Sequence, residues 1–264
     1  MAIFDIWLDM PVWGIFGSLA GLVAALGLLI HWLCFDERTR PRSSTFAGVV
    51  APFFGSVAVL FSLLTGFLAS EVWERNRQAG RAILAERDGV LTVHAISLAA
   101  VSDMTEIRIA VQDYAKALVD DEWSRMMDQE GSRKAGQELL RLLTLVSNPK
   151  VGTDAGKAIQ GALLDTVLKL RSTRYDRLAL SGDRSDRTKW AVVIILCLIT
   201  QIAIAIVHLE KPKAQAAALT IFSVAAVITL GLIAIRERPF DGPLRYSPEP
   251  VEEALQVMAG AASP

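Results

Sequence analysis

The chain has 264 residues, of which 52% are hydrophobic and 21% charged, and its mean hydropathy is +0.39. This composition is too apolar for an ordinary soluble domain and too polar for a protein that lies wholly in the bilayer, so it predicts several membrane spans together with an aqueous part. The net charge is −1, and acidic and basic residues are interleaved, so we expect no nucleic-acid partner.

Four apolar stretches are long enough to cross the ~30 Å hydrocarbon core of a bilayer as helices. The predicted spans cover residues 12–34, 46–70, 190–208 and 214–235. The N-terminus carries no Lys or Arg before Arg38, so it lacks the basic region of a secretory signal peptide, and we expect the first span to stay in the mature protein.

The second span continues into a charged helix without a break. Apart from isolated glycines, nothing after Phe53 argues against one helix that reaches about Val101. Such a helix begins in lipid and ends in water, which suits the wall of a conduit between the two.

Residues 71–188 have regular apolar periodicity and almost no strand-like alternation, so they predict a helical aqueous domain. After the continuation of the second span, we expect helices over residues 104–127, 132–146 and from 153 or 154 to about 180. The first of these would have Ser102 or Asp103 as its N-cap.

The predicted fold class is an all-α integral membrane protein with four transmembrane helices and a helical cytoplasmic domain inserted between the second and third. A tail at residues 236–264 follows the last span. More Lys and Arg residues flank the side that carries both termini and the inserted domain, which predicts that this side is cytoplasmic.

The sequence shows no motif for catalysis or metal binding. Its three histidines are far apart, without a second ligand at the spacing of a zinc site, and we interpret each as structural. They are His31, His94 and His208. Cys34 and Cys197 lie in or beside apolar runs and are interpreted as unpaired thiols. We therefore expect no metal, no cofactor and no enzyme activity.

The acidic run at residues 120–122 lacks the alternating spacing and the glycine of a Ca²⁺ loop, so we interpret it as a solvated helix face. The polar residues of the last two spans are uncharged, which argues against a proton-coupled transporter with a buried carboxylate. They are Thr200, Gln201, Thr220, Ser223 and Thr229.

The central helix carries two stripes at three- and four-residue spacing. One holds Ser56, Val59, Leu63, Phe67 and Glu71; the other holds Phe54, Phe61, Leu68 and Arg75. If several copies of the helix surround an axis, one stripe lines a narrow hydrophobic neck that can gate by dewetting. Periodicity alone equally allows both stripes to be surfaces for lipid and helix packing.

Two segments resemble conserved signatures of bacterial bestrophins. The pair Gly66-Phe67, followed by Trp73 and Glu74-Arg75, resembles the signature that follows their pore helix. The tail ERPFDG, with Pro239, Phe240 and Gly242, and the short helix at residues 251–258 are similar to the segment after their last span. These motifs cover residues 52–87 and 236–258, and the architecture matches over most of the chain.

The resemblance implies a multi-pass ion channel of the bacterial inner membrane, a homopentamer with both termini in the cytoplasm. Its partners would be further copies of itself, membrane lipid and small inorganic ions, with monovalent anions such as chloride favoured over cations. The family's neck, three apolar side chains at four-residue spacing, corresponds to Val59, Leu63 and Phe67. The acidic run that binds Ca²⁺ in animal members is replaced here by GPLRYSPEP, so no calcium site is expected.

The pore mouth would then carry Ser56, Glu71, Glu74 and Arg75. Glu71 and Glu74 favour cations there, whereas Arg75 and Arg77 favour anions. Two other function classes stay open from the sequence: a membrane-anchored scaffold or sensor without a conducting pore, and, with least support, a membrane-embedded enzyme.

Overall fold

The computed structural model describes residues 2–46, 51–126, 130–183 and 185–260, and these residues contain helices but no β-strand. In chain order the helices are α1 (Ala2–Leu8), α2 (Val12–Phe35), α3 (Arg40–Ser43), α4 (Ala51–Ala99), α5 (Thr105–Ala117), α6 (Trp123–Arg125), α7 (Arg133–Val146), α8 (Pro149–Asp154), α9 (Lys157–Gly182), α10 (Arg187–Val207), α11 (Pro212–Ala234) and α12 (Glu249–Gly260). A 3₁₀ turn at Ser44–Phe46 and a π turn at Leu118–Glu122 complete them.

Four helices, α2, α4, α10 and α11, are long and apolar enough to cross a membrane. The predicted fold class of an all-α integral membrane protein is therefore confirmed. Residues 47–50 of the predicted second span and residues 261–264 of the predicted tail lie outside the described residues.

Helix α4 has 49 residues and is roughly 70 Å long at ~1.5 Å per residue. Its only proline, Pro52, lies in the first turn, where the missing N–H has no intrahelical partner to lose. Its glycines are isolated, so none of them breaks the hydrogen-bond ladder.

The helices form two compact units. The first is built from described residues within 1–74, 184–238 and 242–244, and the second from those within 75–183, 239–241 and 245–264. The chain passes from the first unit to the second within α4, between Glu74 and Arg75.

In the first unit, α2 packs mainly against α11, and α10 contacts both. Helix α4 joins this bundle through Phe61, Leu68 and Val72, which lie in the same apolar core as Ile15 and Trp190. Ion pairs at 2.8 and 2.5 Å also hold the N-terminal segment. They are Asp5–Arg187 and Asp9–Arg238.

Buried amides cross-link the spans of the first unit. Gln201 donates to the carbonyl of Val23 at 3.0 Å and to Ser223 at 3.1 Å. Gln215 donates to the carbonyl of Ala205 and hydrogen-bonds His31 at 2.7 Å. The amide groups of Gln201 and Gln215 thus link the spans to one another and to the backbone, as is common in membrane bundles.

In the second unit, α5, α7, α9 and α12 and the distal part of α4 share one apolar core. Inside it, Arg177 pairs with Glu86 at 2.6 Å and with Glu122 at 2.5 Å. Glu122 also binds Arg174 at 2.5 Å and has no exposed surface. The prediction of a solvated face at residues 120–122 is therefore wrong for Glu122, which the π turn directs into the core.

Two predicted helix starts are also wrong. The N-cap of α5 is Met104, because the Asp103 carboxylate accepts hydrogen bonds from the backbone and hydroxyl of Thr105 in a turn before the helix. The last helix of the domain begins at Lys157, because Asn148 caps the short α8 and Gly156, at φ 94°, separates α8 from α9. The predicted end of a helix at residue 127 lies outside the described residues.

The structure distinguishes the three histidines. His31 and His208 are hydrogen-bonded, to Gln215 and to the carbonyl of Ile204. His94 is buried, and neither of its ring nitrogens has a hydrogen-bond partner among the described residues. Burial, and to a lesser degree the charge of Arg108, lower the pKa of His94, so its neutral form is favoured.

Candidate functional site

Helix α4 has one exposed and one packed side within the first unit. Val59, Leu63 and Phe67 expose 64%, 51% and 62% of their surface, whereas Phe61 and Leu68 expose 8% and 1%. The two sequence stripes are therefore not equivalent, because the chain's own helices cover one and leave the other open.

The three exposed apolar side chains lie at four-residue spacing. At ~1.5 Å per residue each step is about 6 Å, so the row is about 12 Å long. The packed side fixes its orientation: Phe61 contacts Phe222 of α11 with ring centroids 5.6 Å apart, and Leu68 and Val72 lie in the core of the unit. A continuous apolar row on a well-supported helix is the geometry that a hydrophobic constriction needs.

Of the residues predicted at the mouth, Ser56 is exposed and donates to the carbonyl of Pro52 at 3.3 Å. Glu71 is partly buried and pairs with Lys189 at the start of α10. Glu74 is also partly buried. The structure thus places the two acidic residues beside the exposed row, with the charge of Glu71 balanced by a lysine.

Arg75 does not join this group. Only 4% of it is exposed, and it donates to Asp183 at 3.2 Å. It continues the packed stripe of Phe61 and Leu68, as the helical period requires. Two other arginines, Arg77 and Arg81, are exposed on α4.

The tail motif is structural in both units. In the second unit, Phe240 is buried beside Ala79 and Ile83 and contacts Trp123 edge-on, and the carbonyl of Pro239 accepts from the backbone N–H of Tyr246 at 2.8 Å. In the first unit, a Cβ at Gly242 would lie 2.5 Å from the carbonyl oxygen of Arg238, so only glycine fits there.

Glu237 is a residue whose role the sequence did not indicate. It is buried in the first unit, where its carboxylate accepts from the backbone N–H of Ser185 at 2.7 Å and from the indole of Trp190 at 3.3 Å. Its partners are about 50 positions away, so no local pattern could have identified them. No local pattern could have identified Lys189 as the partner of Glu71 either. An acidic residue directly after a long apolar span does, however, indicate that a cationic partner lies nearby.

The described residues contain no group of three or more His, Cys, Asp or Glu side chains that could hold a metal ion. Both cysteines are free thiols, as predicted. The candidate functional site is the exposed apolar row on α4.

Comparison with known proteins gives consistent results. The Bestrophin-like domain matches residues 21–251. No curated protein matches the chain. The fold is similar to crystal structures of a bacterial bestrophin homologue from Klebsiella pneumoniae, among them three structures of singly substituted variants.

The first of these structures is 14% identical, with a TM-score of 0.68 over 92% of this chain and 97% of that one. The second is 13% identical, with a TM-score of 0.69 over 91% and 99%. The third is 10% identical, with a TM-score of 0.72 over 92% and 98%. At sequence identities this low, the structural similarity shows a shared fold and nothing more.

Proposed function

The chain belongs to the bestrophin-like family, and from that membership we propose that it forms a homo-oligomeric ion channel whose neck is the row Val59, Leu63 and Phe67. The observation that carries the proposal is the difference between the two sides of α4: within one chain, the row is exposed while the opposite stripe is packed. Several copies of α4 around an axis would bring these rows together.

By the family analogy the ring contains five copies, in the inner membrane of a bacterium, with both termini and the second unit in the cytoplasm. The second unit is therefore called the aqueous unit. Membrane lipid surrounds the ring, and small inorganic ions pass along its axis. The apolar neck holds ions back until it widens or wets, because an ion there loses its hydration shell without a polar replacement.

We further propose that the pore favours small anions such as chloride. Lys189 balances the charge of Glu71, and Arg75 is buried, so neither sets the charge of the mouth. The preference for anions therefore rests on the resemblance to the bestrophin-like family and not on a charge at the mouth.

The test is a planar-bilayer recording of the purified protein in asymmetric KCl, with Phe67→Ala alongside. We expect the reversal potential of the currents to lie close to the equilibrium potential of chloride. We also expect a conductance several-fold larger in Phe67→Ala, because the substitution removes the largest side chain of the neck. Ile221→Ala is the matched control, since Ile221 is 72% exposed on α11, and it should leave the currents unchanged.

Currents that Phe67→Ala leaves unchanged would place the constriction elsewhere. No current from either protein, with intact oligomers in the same preparation, would favour the second candidate function, a membrane-anchored scaffold or sensor without a conducting pore.

A further inference from the structure

A groove of about 430 Å³ lies between α4 and α11 in the first unit. Apart from Phe61, its α4 wall consists of small residues at three- and four-residue spacing. They are Ala58, Ser62, Thr65, Gly66 and Ala69. The α11 wall adds Phe222, Ala225, Ala226 and Thr229. This side of α4 therefore accepts another helix at close range.

Two residues indicate that the groove is completed from outside the chain. A Cβ added at Gly66 would meet no atom of the described residues within 4 Å, so packing inside one chain does not require glycine. Glycine destabilises a helix relative to alanine, so its presence at this position is explained only by close approach of a neighbour. Thr65 is 4% exposed, and its hydroxyl has no hydrogen-bond partner among the described residues.

The other side of α4 has the opposite shape. Leu60 exposes 52% of its surface and Phe67 exposes 62%. With Leu64 they form a bulky edge on the side of α4 away from the groove, where Leu64 and Phe67 lie beside Val192 of α10. The helix thus has a small edge and a large edge. Val59 and Leu63 lie between them, and Phe67 lies where the exposed row meets the large edge.

A closed ring of identical subunits brings unlike edges of neighbouring copies together, and rotational symmetry keeps equal residue numbers at equal height. Leu60 then faces Ala58 and Ser62 of the next copy, and Phe67 faces Gly66 and Ala69.

We propose that the groove between α4 and α11 is the docking surface for the bulky α4 edge, led by Leu60, of the adjacent copy. This proposal deepens the proposed function and rests on it for the ring of α4 helices. The neck is incomplete without the contact, because the same packing sets how far each exposed row stands from the axis.

Disulfide cross-linking tests the pairing directly. Leu60→Cys and Ser62→Cys are introduced together, in a background where Cys34 and Cys197 are replaced by alanine, and the oxidised protein is run on a denaturing gel. Leu60 and Ser62 lie on opposite sides of one helix, so a bond within a single copy is geometrically excluded. For the double variant we expect a ladder of cross-linked bands that extends from the dimer to the closed ring. For either single variant we expect the monomer band alone.

A dimer from Leu60→Cys alone would show that like edges meet, and the absence of a ladder from an intact oligomer would show that another surface holds the ring. Either result overturns the proposal. A ladder without bilayer currents would instead contradict the proposed channel function and support the docking surface. Currents without a ladder would support the channel function and contradict the docking surface.

Gly66→Leu gives an independent readout. Within the single chain a Cβ at Gly66 has no neighbouring atom within 4 Å, so we expect a folded protein whose ring is replaced largely by monomer in light scattering. Gly21→Leu is the matched control, because Gly21 on α2 also has open space around it. An unchanged ring in Gly66→Leu, or an equal loss in both variants, would contradict the proposal.

Discussion

Arg177 has no exposed surface, although it carries a full charge in the core of the aqueous unit. Glu86 and Glu122 hold its guanidinium at 2.6 and 2.5 Å, and the ring of Trp123 lies 5.3 Å away. Burial lowers the pKa of Arg177, but the two carboxylates more than offset this and raise its pKa above the ordinary value. Tyr114 donates to Glu86 at 2.6 Å, so the network joins α4, α5 and α9.

Replacing Arg177 with methionine should leave the Glu86 carboxylate buried without its cation and Glu122 with Arg174 as its one remaining cation in this network. We expect a loss of about 3–5 kcal/mol in the free energy of unfolding of the aqueous unit, measured by denaturant titration of the full chain. Arg171→Met on the same helix is the control, because Arg171 is exposed, and it should change stability by no more than about 0.5 kcal/mol. Similar losses in the two variants would show that the network does not stabilise the unit.

Single residues also show where sequence reasoning reached its limit. Helical periodicity was enough to group Val59, Leu63 and Phe67 on one side of α4, because neighbours three and four positions apart must share a face. It could not place Glu122 in the core, since its partners Arg174 and Arg177 are more than 50 positions away. Nor could it pair Glu71 with Lys189, which is 118 positions away.

At the scale of elements, long apolar runs were predicted well because length and hydropathy are properties of the run itself. The four membrane helices and the continuity of α4 needed no knowledge of tertiary contacts. Helix starts in the aqueous unit were harder to predict, since several Ser, Asp and Asn residues can cap a helix and packing chooses among them. The beginning of α9 is the clearest case, because a backbone conformation at Gly156 decides it.

Gly156 has φ 94°, a conformation that side chains rarely adopt, so Gly156→Ala should destabilise the aqueous unit by roughly 1–3 kcal/mol. Gly161→Ala, inside α9 and with open space around the Cβ position, should instead be neutral or stabilising by about 0.5–1 kcal/mol. Thermal unfolding of the two variants measures the difference. Equal midpoints would mean that the junction of α8 and α9 adapts to alanine.

At the scale of the whole molecule, the C-terminal segment completes the aqueous unit. Val251, Ala254 and Met258 of α12 have no exposed surface, and Val251 and Met258 lie in the core that α5 and α7 share. The tail is therefore part of this unit's core, although two membrane spans separate it in sequence from the rest of the unit.

Met258→Ala should lower the free energy of unfolding of the unit by about 2–5 kcal/mol, because it empties a fully buried position. Val257→Ala is the control on the adjacent position, where 55% of the side chain is exposed, and it should have little effect. The two variants are compared by measuring the protease resistance of the aqueous unit in the full chain in detergent. A small effect of Met258→Ala would show that α12 lies loosely on the unit.

Because the aqueous unit is built from segments that are far apart in the sequence, its parts are synthesised at different times. Residues 75–183 leave the ribosome first, but the core they form lacks α12 until both later spans have been made. Domains generally fold as units as they emerge. This one must wait, with apolar surface uncovered, until the membrane insertion of α10 and α11 has brought the last helix within reach. A chain that stops early, or inserts a span the wrong way round, is thereby left with an open core that proteases and chaperones can recognise.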